Sequence, residues 1–104
     1  MPSKLVRDKV PDLMRAEGLD PTVVQAFHLI AHLPAKVREE LAELEAAPDR
    51  AAVLEEFADL REAVDALGRA LGLRPFEVAQ AQFAKREAKG GFDGGILLEV
   101  PNAG

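Results

Sequence analysis

The sequence contains no cysteine, no tryptophan and no tyrosine, and its 104 residues include a single serine, Ser3. Without cysteine, disulfides, thiolate catalysis and cysteine-ligated zinc are all excluded. A lone serine in the N-terminal arm leaves no basis for a Ser-His-Asp arrangement. Aromatic residues make up only 5% of the chain, so the core must come mainly from Leu, Val and Ala, a composition that favours helices. Positive charge is in deficit. Lys and Arg number 13 against 18 Asp and Glu, and the formal net charge of -5 argues against a nucleic-acid backbone as the main partner. Small phosphates held through metal ions remain compatible with that balance. Long apolar runs are also missing: nothing approaches the roughly 20 apolar residues of a membrane span, and the stretch from Met1 to Arg7 is not a leader-like run. The expectation is a cytoplasmic protein without a membrane partner.

What is present is a chain that is 48% hydrophobic, enough for one small domain over residues 1–104 but not for two. Residues 8–17 read as a short helix with Asp8 as N-cap, Val10, Leu13 and Met14 on one side, Pro11 in the first turn and Gly18 as the stop. The β-branched run in residues 22–27 suits a short extended segment. A longer helix is expected over about residues 29–45, with Ile30, Leu33, Val37, Leu41 and Leu44 in helical spacing. Pro34 interrupts it, so this helix either starts near Ala35 or kinks.

The next helix has the clearest pattern. Val53, Phe57, Leu60, Val64, Leu67 and Leu71 alternate steps of four and three, a seam suited to packing on other helices, and Gly72 ends it. Pro75 opens a last helix expected to bury Phe76, Ala79 and Phe83 and to end at Lys89-Gly90-Gly91; the tail from Ile96 to Val100 is extended at most. Only Ala46-Ala47-Pro48-Asp49 joins the two central helices, with Asp49 as N-cap, so they must be antiparallel neighbours. The fold class is therefore all-α. Two helices bury so long a seam poorly, and a second copy would complete a four-helix-type bundle.

An acidic figure occurs twice, as Glu39-Glu40-Leu41-Ala42-Glu43 and as Glu55-Glu56-Phe57-Ala58-Asp59. At about 100° per residue, Glu40 and Glu43 lie some 60° and 120° from Val37, and Glu56 and Asp59 hold the same two offsets from Val53. In an antiparallel pair equal offsets fall on the same side, and the pairings of Glu43 with Glu56 and of Glu40 with Asp59 are level along the axis. Four carboxylates are expected to converge on one flank, with Glu39 and Glu55 leaning outward. Two carboxylates about 5 Å apart repel by roughly 3 kcal/mol at an effective dielectric of 20, so such a cluster needs metal ions or bound protons. An all-oxygen set without His or Cys suits Mg²⁺ or Mn²⁺ better than Zn²⁺. A solvated flank of two surface helices would show the same residue types.

These residues resemble the signature of the all-α nucleoside triphosphate pyrophosphohydrolases, the MazG-like group that includes phosphoribosyl-ATP pyrophosphohydrolase. Lys4-Leu-Val-Arg-Asp-Lys-Val-Pro11 and Lys85-Arg-Glu-Ala-Lys-Gly-Gly-Phe92 are similar to a small stand-alone branch of the group. The resemblance implies a helical homodimer or homotetramer with Mg²⁺ between carboxylates and triphosphate, hydrolysing a nucleoside triphosphate between its α and β phosphates. It also implies that Glu40, Glu43, Glu56 and Asp59 are metal ligands and that Glu39 orients or deprotonates the attacking water. Metal-assisted hydrolysis of this kind requires no nucleophilic side chain.

Lys4, Arg7 and Lys9, and Lys85, Arg86 and Lys89, are candidates to reach the β and γ phosphates, although cations in a last helical turn also offset the helix dipole. Lys36, one turn before Glu40, reads as an i, i+4 ion pair. His28 and His32 share helical zinc spacing, but Leu29-Ile30-Ala31 between them lacks the glutamate of the metalloprotease motif, and no metal role is expected there. The Gly90-Gly91 and Gly94-Gly95 pairs read as a helix stop and turns. The competing functions are a phosphoribosyl-ATP pyrophosphohydrolase of histidine biosynthesis and a non-catalytic helical oligomerisation or partner-binding module.

Overall fold

The computed structural model describes residues 3–99, so the readings at Met1 and Val100 lie outside the described residues. Four helices occur among them and no strand: α1 (Val10–Ala16), α2 (Leu29–Glu45), α3 (Arg50–Ala70) and α4 (Pro75–Lys89). The all-α class matches the sequence pattern. No helix among the described residues is long and apolar enough to cross a membrane. The chain divides into one unit ending at Leu73 and another starting at Arg74.

Helix ends follow local chemistry with two exceptions. Asp49 caps α3 by accepting the Ala52 N–H at 2.9 Å, and α3 stops where Gly72 turns to φ +78. There the Gly72 and Leu73 N–H groups bond the carbonyls of Arg69 and Gly68, which satisfies groups the helix leaves open. The exceptions are α1, whose N-cap is Lys9 with no side-chain cap, not Asp8, and α2, whose N-cap His28 has no side-chain cap either. Pro11 lies within its first turn, as its missing N–H allows.

Pro34 does not start or end α2. The helix runs continuously from Leu29 past Pro34 to Glu45, and Pro34 withholds one backbone donor from the Ile30 carbonyl a turn earlier. Residues 19–28, including the β-branched run, form no strand.

The first unit is organised by the packing of α2 against α3. Its contact line differs from the expected one. On α2 the residues not fully exposed are Leu33, Pro34, Lys36, Val37, Glu39, Glu40 and Leu44; on α3 they are Ala52, Glu56, Asp59, Leu60, Ala63, Ala66, Leu67, Gly68 and Ala70. Leu41, Val53, Phe57, Val64 and Leu71, all placed in the sequence-derived seam, are exposed. Both helices are thus rotated on the order of 50° about their axes, towards Glu40 and Glu56. The physical reason lies in side-chain size: alanines at 52, 63 and 70 let the backbones approach closely, with Ala63 only 7% exposed and facing a helix whose Leu33 is 2% exposed. Leu41, Val53, Phe57, Val64 and Leu71 remain on an outer stripe, while Leu60 and Leu67 stay at the contact.

Within the second unit, α4 begins with the Arg74 N–H donating to the Glu77 carboxylate at 2.7 Å and ends at Gly90 with φ +83. The expectation that α4 buries Phe76, Ala79 and Phe83 is not met, since this helix has no buried residue. Residues 96–99 form no strand.

Candidate metal centre

The rotation of the hairpin decides where the doubled acidic figure goes. Glu40 is carried off the flank and into the α2–α3 contact, where it is 5% exposed, the only buried charged residue among those described. Glu56 on α3 is half-buried, and Glu43, one turn after Glu40, is exposed. One carboxylate oxygen from each of Glu40, Glu43 and Glu56 falls within 4.8 Å of the others. Three of the four expected ligands therefore meet. Asp59 does not join them, a correction to the four-fold convergence: its Oδ1 accepts Nη2 of Arg7 at 2.6 Å.

Bonding around these carboxylates is incomplete. Glu40 Oε1 accepts the Lys36 ammonium at 2.9 Å, the i, i+4 pair expected from the sequence. Glu40 Oε2 and Glu56 Oε2 are buried and have no hydrogen-bond partner. A buried acceptor without a partner costs about 1–3 kcal/mol, more when charged. A cation between the helices would remove that cost. The donor set is also right for a hard ion, being carboxylate oxygen alone, and Mg²⁺ or Mn²⁺ fits it better than Zn²⁺.

Glu39 sits differently from its sequence assignment. It leans over the same edge and not out to solvent, with Oε1 3.0 Å from Nζ of Lys4 and Oε2 3.5 Å from Nζ of Lys36. The hydrogen bond from Lys4 holds its carboxyl below the usual glutamate range, against the opposing pull of burial, with Lys36 adding to the lowering. The same hydrogen bond, with the charge of Glu39 behind it, raises the Lys4 ammonium above its ordinary value. A carboxylate engaged at both oxygens and made less basic is a poor proton acceptor. That geometry ties Glu39 to Lys4 of the N-terminal segment and to Lys36 of its own helix. Glu55 is exposed, as expected.

Of the basic residues expected to bind phosphate, Lys4 and Arg7 lie against this acidic edge through Glu39 and Asp59. Lys9 is exposed at the start of α1. Lys85, Arg86 and Lys89 are exposed on α4, in the second unit. His28 and His32 are exposed and belong to no three-residue ligand group among the described residues. Sequence reasoning missed that Lys36 is largely buried while serving both Glu39 and Glu40; the signal for it was the i, i+3 and i, i+4 spacing.

Comparison with known proteins adds little. No family model matches the chain, and no solved structure matches it. A protein of Mycolicibacterium smegmatis described only as uncharacterized is 46% identical over 55 residues, which is 51% of this chain and 56% of that protein. The chain thus spans about half the length of that relative.

Proposed function

We propose that this protein is a divalent-metal-dependent nucleoside triphosphate pyrophosphohydrolase, acting on a non-standard or surplus (deoxy)nucleotide and releasing a nucleoside monophosphate and pyrophosphate. The observation that carries the reading is the meeting of Glu40, Glu43 and Glu56 at the α2–α3 contact with two buried carboxylate oxygens unpartnered. Those three residues would hold Mg²⁺ or Mn²⁺, with Asp59 as a fourth candidate. Bound there, the ion would neutralise charge on the triphosphate and make a water more acidic.

The chain's own residues do the rest. Glu40, embedded between the helices, fixes the height of the site on the hairpin. Lys36 holds one of its oxygens. Lys4 and Arg7 bring positive charge to the same edge, where the outer phosphates of a metal-bound nucleotide would lie. A homodimer or homotetramer, in which a second copy covers the outer apolar stripe, is part of the same reading, as is a cytoplasmic location.

Purified protein incubated with Mg²⁺ and a panel of NTPs, dNTPs and phosphoribosyl-ATP tests the proposal, with pyrophosphate and orthophosphate measured separately. Pyrophosphate release, lost by at least 100-fold in Glu40→Gln and Glu56→Gln, is the expected result on the scale of removing a key electrostatic contact. Orthophosphate as sole product, or full activity in both variants, rejects it. Turnover confined to phosphoribosyl-ATP would move the substrate to histidine biosynthesis and leave the site intact.

A further inference from the structure

Arg7 and Lys4 belong to the segment ahead of α1, and their acceptors stand on different helices. Arg7 reaches Asp59 on α3, 52 positions away, and Lys4 reaches Glu39 on α2, 35 positions away. The segment therefore straps across the acidic edge of the hairpin. Asp59 follows Glu56 by three residues, which puts their Cβ atoms roughly 5–6 Å apart on one helix surface. It is nevertheless the one of the four expected ligands that stays out of the cluster, and it is the one that Arg7 takes.

We propose that Arg7 and a divalent cation are alternative partners for Asp59, so that an ion held by Glu40, Glu43 and Glu56 draws Asp59 to itself and frees Arg7. This rests on the metal reading above. The second support for an ion at this place is Glu40 itself, more than nine-tenths buried with Oε2 unpartnered.

The exchange is physically cheap on one side and favoured on the other. The Arg7–Asp59 pair is open to water, with the two side chains 55% and 38% exposed, and pairs of that kind contribute little to stability. A divalent ion beside Glu56 offers Asp59 twice the charge of a guanidinium. It also repels that guanidinium at short range, since like charges a few ångströms apart disfavour each other. Lys36 is not exchangeable in the same way, because it is shielded from water and serves two carboxylates. Released from Asp59, the Arg7 fork is free for phosphate oxygens, which it suits in geometry and charge. Metal loading would thus convert Arg7 from a brace on α3 into a phosphate ligand, making nucleotide binding follow metal binding.

Mn²⁺ binding to the full chain, followed by the electron paramagnetic resonance of the free ion, tests this without turnover. Arg7→Gln is expected to bind Mn²⁺ about two- to five-fold tighter than wild type, the span that an exposed ion pair is worth. Arg7→Lys should stay close to wild type. Asp59→Asn should bind more weakly, and adding Arg7→Gln to it should change nothing further. In the wild type, Mg²⁺ should move the Arg7 side-chain N–H resonances towards their positions in Asp59→Asn. Equal or weaker binding in Arg7→Gln, with Glu56→Gln still abolishing binding, would overturn the exchange while leaving the metal centre standing. No Mn²⁺ binding in wild type would overturn both.

Discussion

Glu39 and Glu40 are adjacent in sequence and opposite in circumstance. Glu40 is buried with one oxygen on Lys36 and one without a partner; Glu39 has both oxygens on lysines and remains partly in water. The first is suited to a cation that can enter between helices, the second to holding the N-terminal segment in place. For Glu39 this has a consequence in pH. Its folded pKa is lowered chiefly by the Lys4 hydrogen bond, so its contribution to stability is present above the ordinary glutamate value of about 4.3 and is lost as pH falls through the lowered one. Lys4 is shifted the other way: its contribution is present below about 10.4 and is lost as pH rises through the raised value. The pair therefore contributes in full between those two ordinary values, a window that takes in the whole neutral range. As a largely exposed pair it is worth about 0.2–1 kcal/mol. Glu39→Gln should accordingly lower the urea midpoint slightly at neutral pH, and the difference from wild type should close as pH falls through the lowered value and the wild-type carboxylate is itself protonated. A difference that persisted undiminished in acid would show that Glu39 stabilises the hairpin through packing instead of charge.

At the scale of the helices, the last turn of α3 and the turn that follows it make opposite demands on glycine. Gly68 has helical backbone and nothing within 4 Å of where a Cβ would stand, whereas Gly72 sits at φ +78. Gly68→Ala should therefore raise stability by about 0.5–1 kcal/mol by reducing the freedom of the unfolded chain. Gly72→Ala should lower it by about 1 kcal/mol, because a side chain disfavours the left-handed region. Opposite shifts in denaturation midpoint check the pair of substitutions, and a loss in both would mean that the outer side of α3 near Gly68 is covered by something that an added methyl displaces. Such helix ends were legible in sequence because they depend on residues next to one another: Asp49 as cap, Gly72 and Gly90 as stops, Pro75 as first turn. The contact line between α2 and α3 was not. Two stripes run along α3, one of large apolar residues and one of alanines with Glu56, and periodicity says that a stripe packs without saying against what. The large stripe was the natural choice for the hairpin, yet close approach of two helices rewards the small one. The candidate site shared both fates. Glu40, Glu43 and Glu56 were legible because helix geometry fixes their direction, while the withdrawal of Asp59 depends on Arg7, 52 positions away, which no local pattern encodes.

For the whole molecule, the same rotation leaves an outer face that the hairpin does not cover. Leu41, Val53, Phe57, Val64 and Leu71 all lie exposed along it, Phe57 at 55%. Monomeric proteins rarely leave so continuous an apolar strip in water, and each large side chain fully covered is worth about 1.5–3 kcal/mol. A two-fold pairing of hairpins would lay this strip against its own copy and yield the four-helix arrangement proposed above, with the carboxylates of each copy still at its own α2–α3 contact. Phe57 is the test position because it adjoins Glu56 in sequence but points to the other side of the contact line. Phe57→Asp would set an unpaired charge in the middle of the strip, a change expected to cost several kcal/mol in any paired form. Light scattering should then give the mass of one chain for the variant and a multiple of it for the wild type at the same micromolar concentration. Mn²⁺ affinity separates the two roles of the hairpin: if the site is built within one chain, the monomeric variant retains binding, and if binding disappears with the assembly, the second copy supplies part of what holds Glu40 and Glu56 in register.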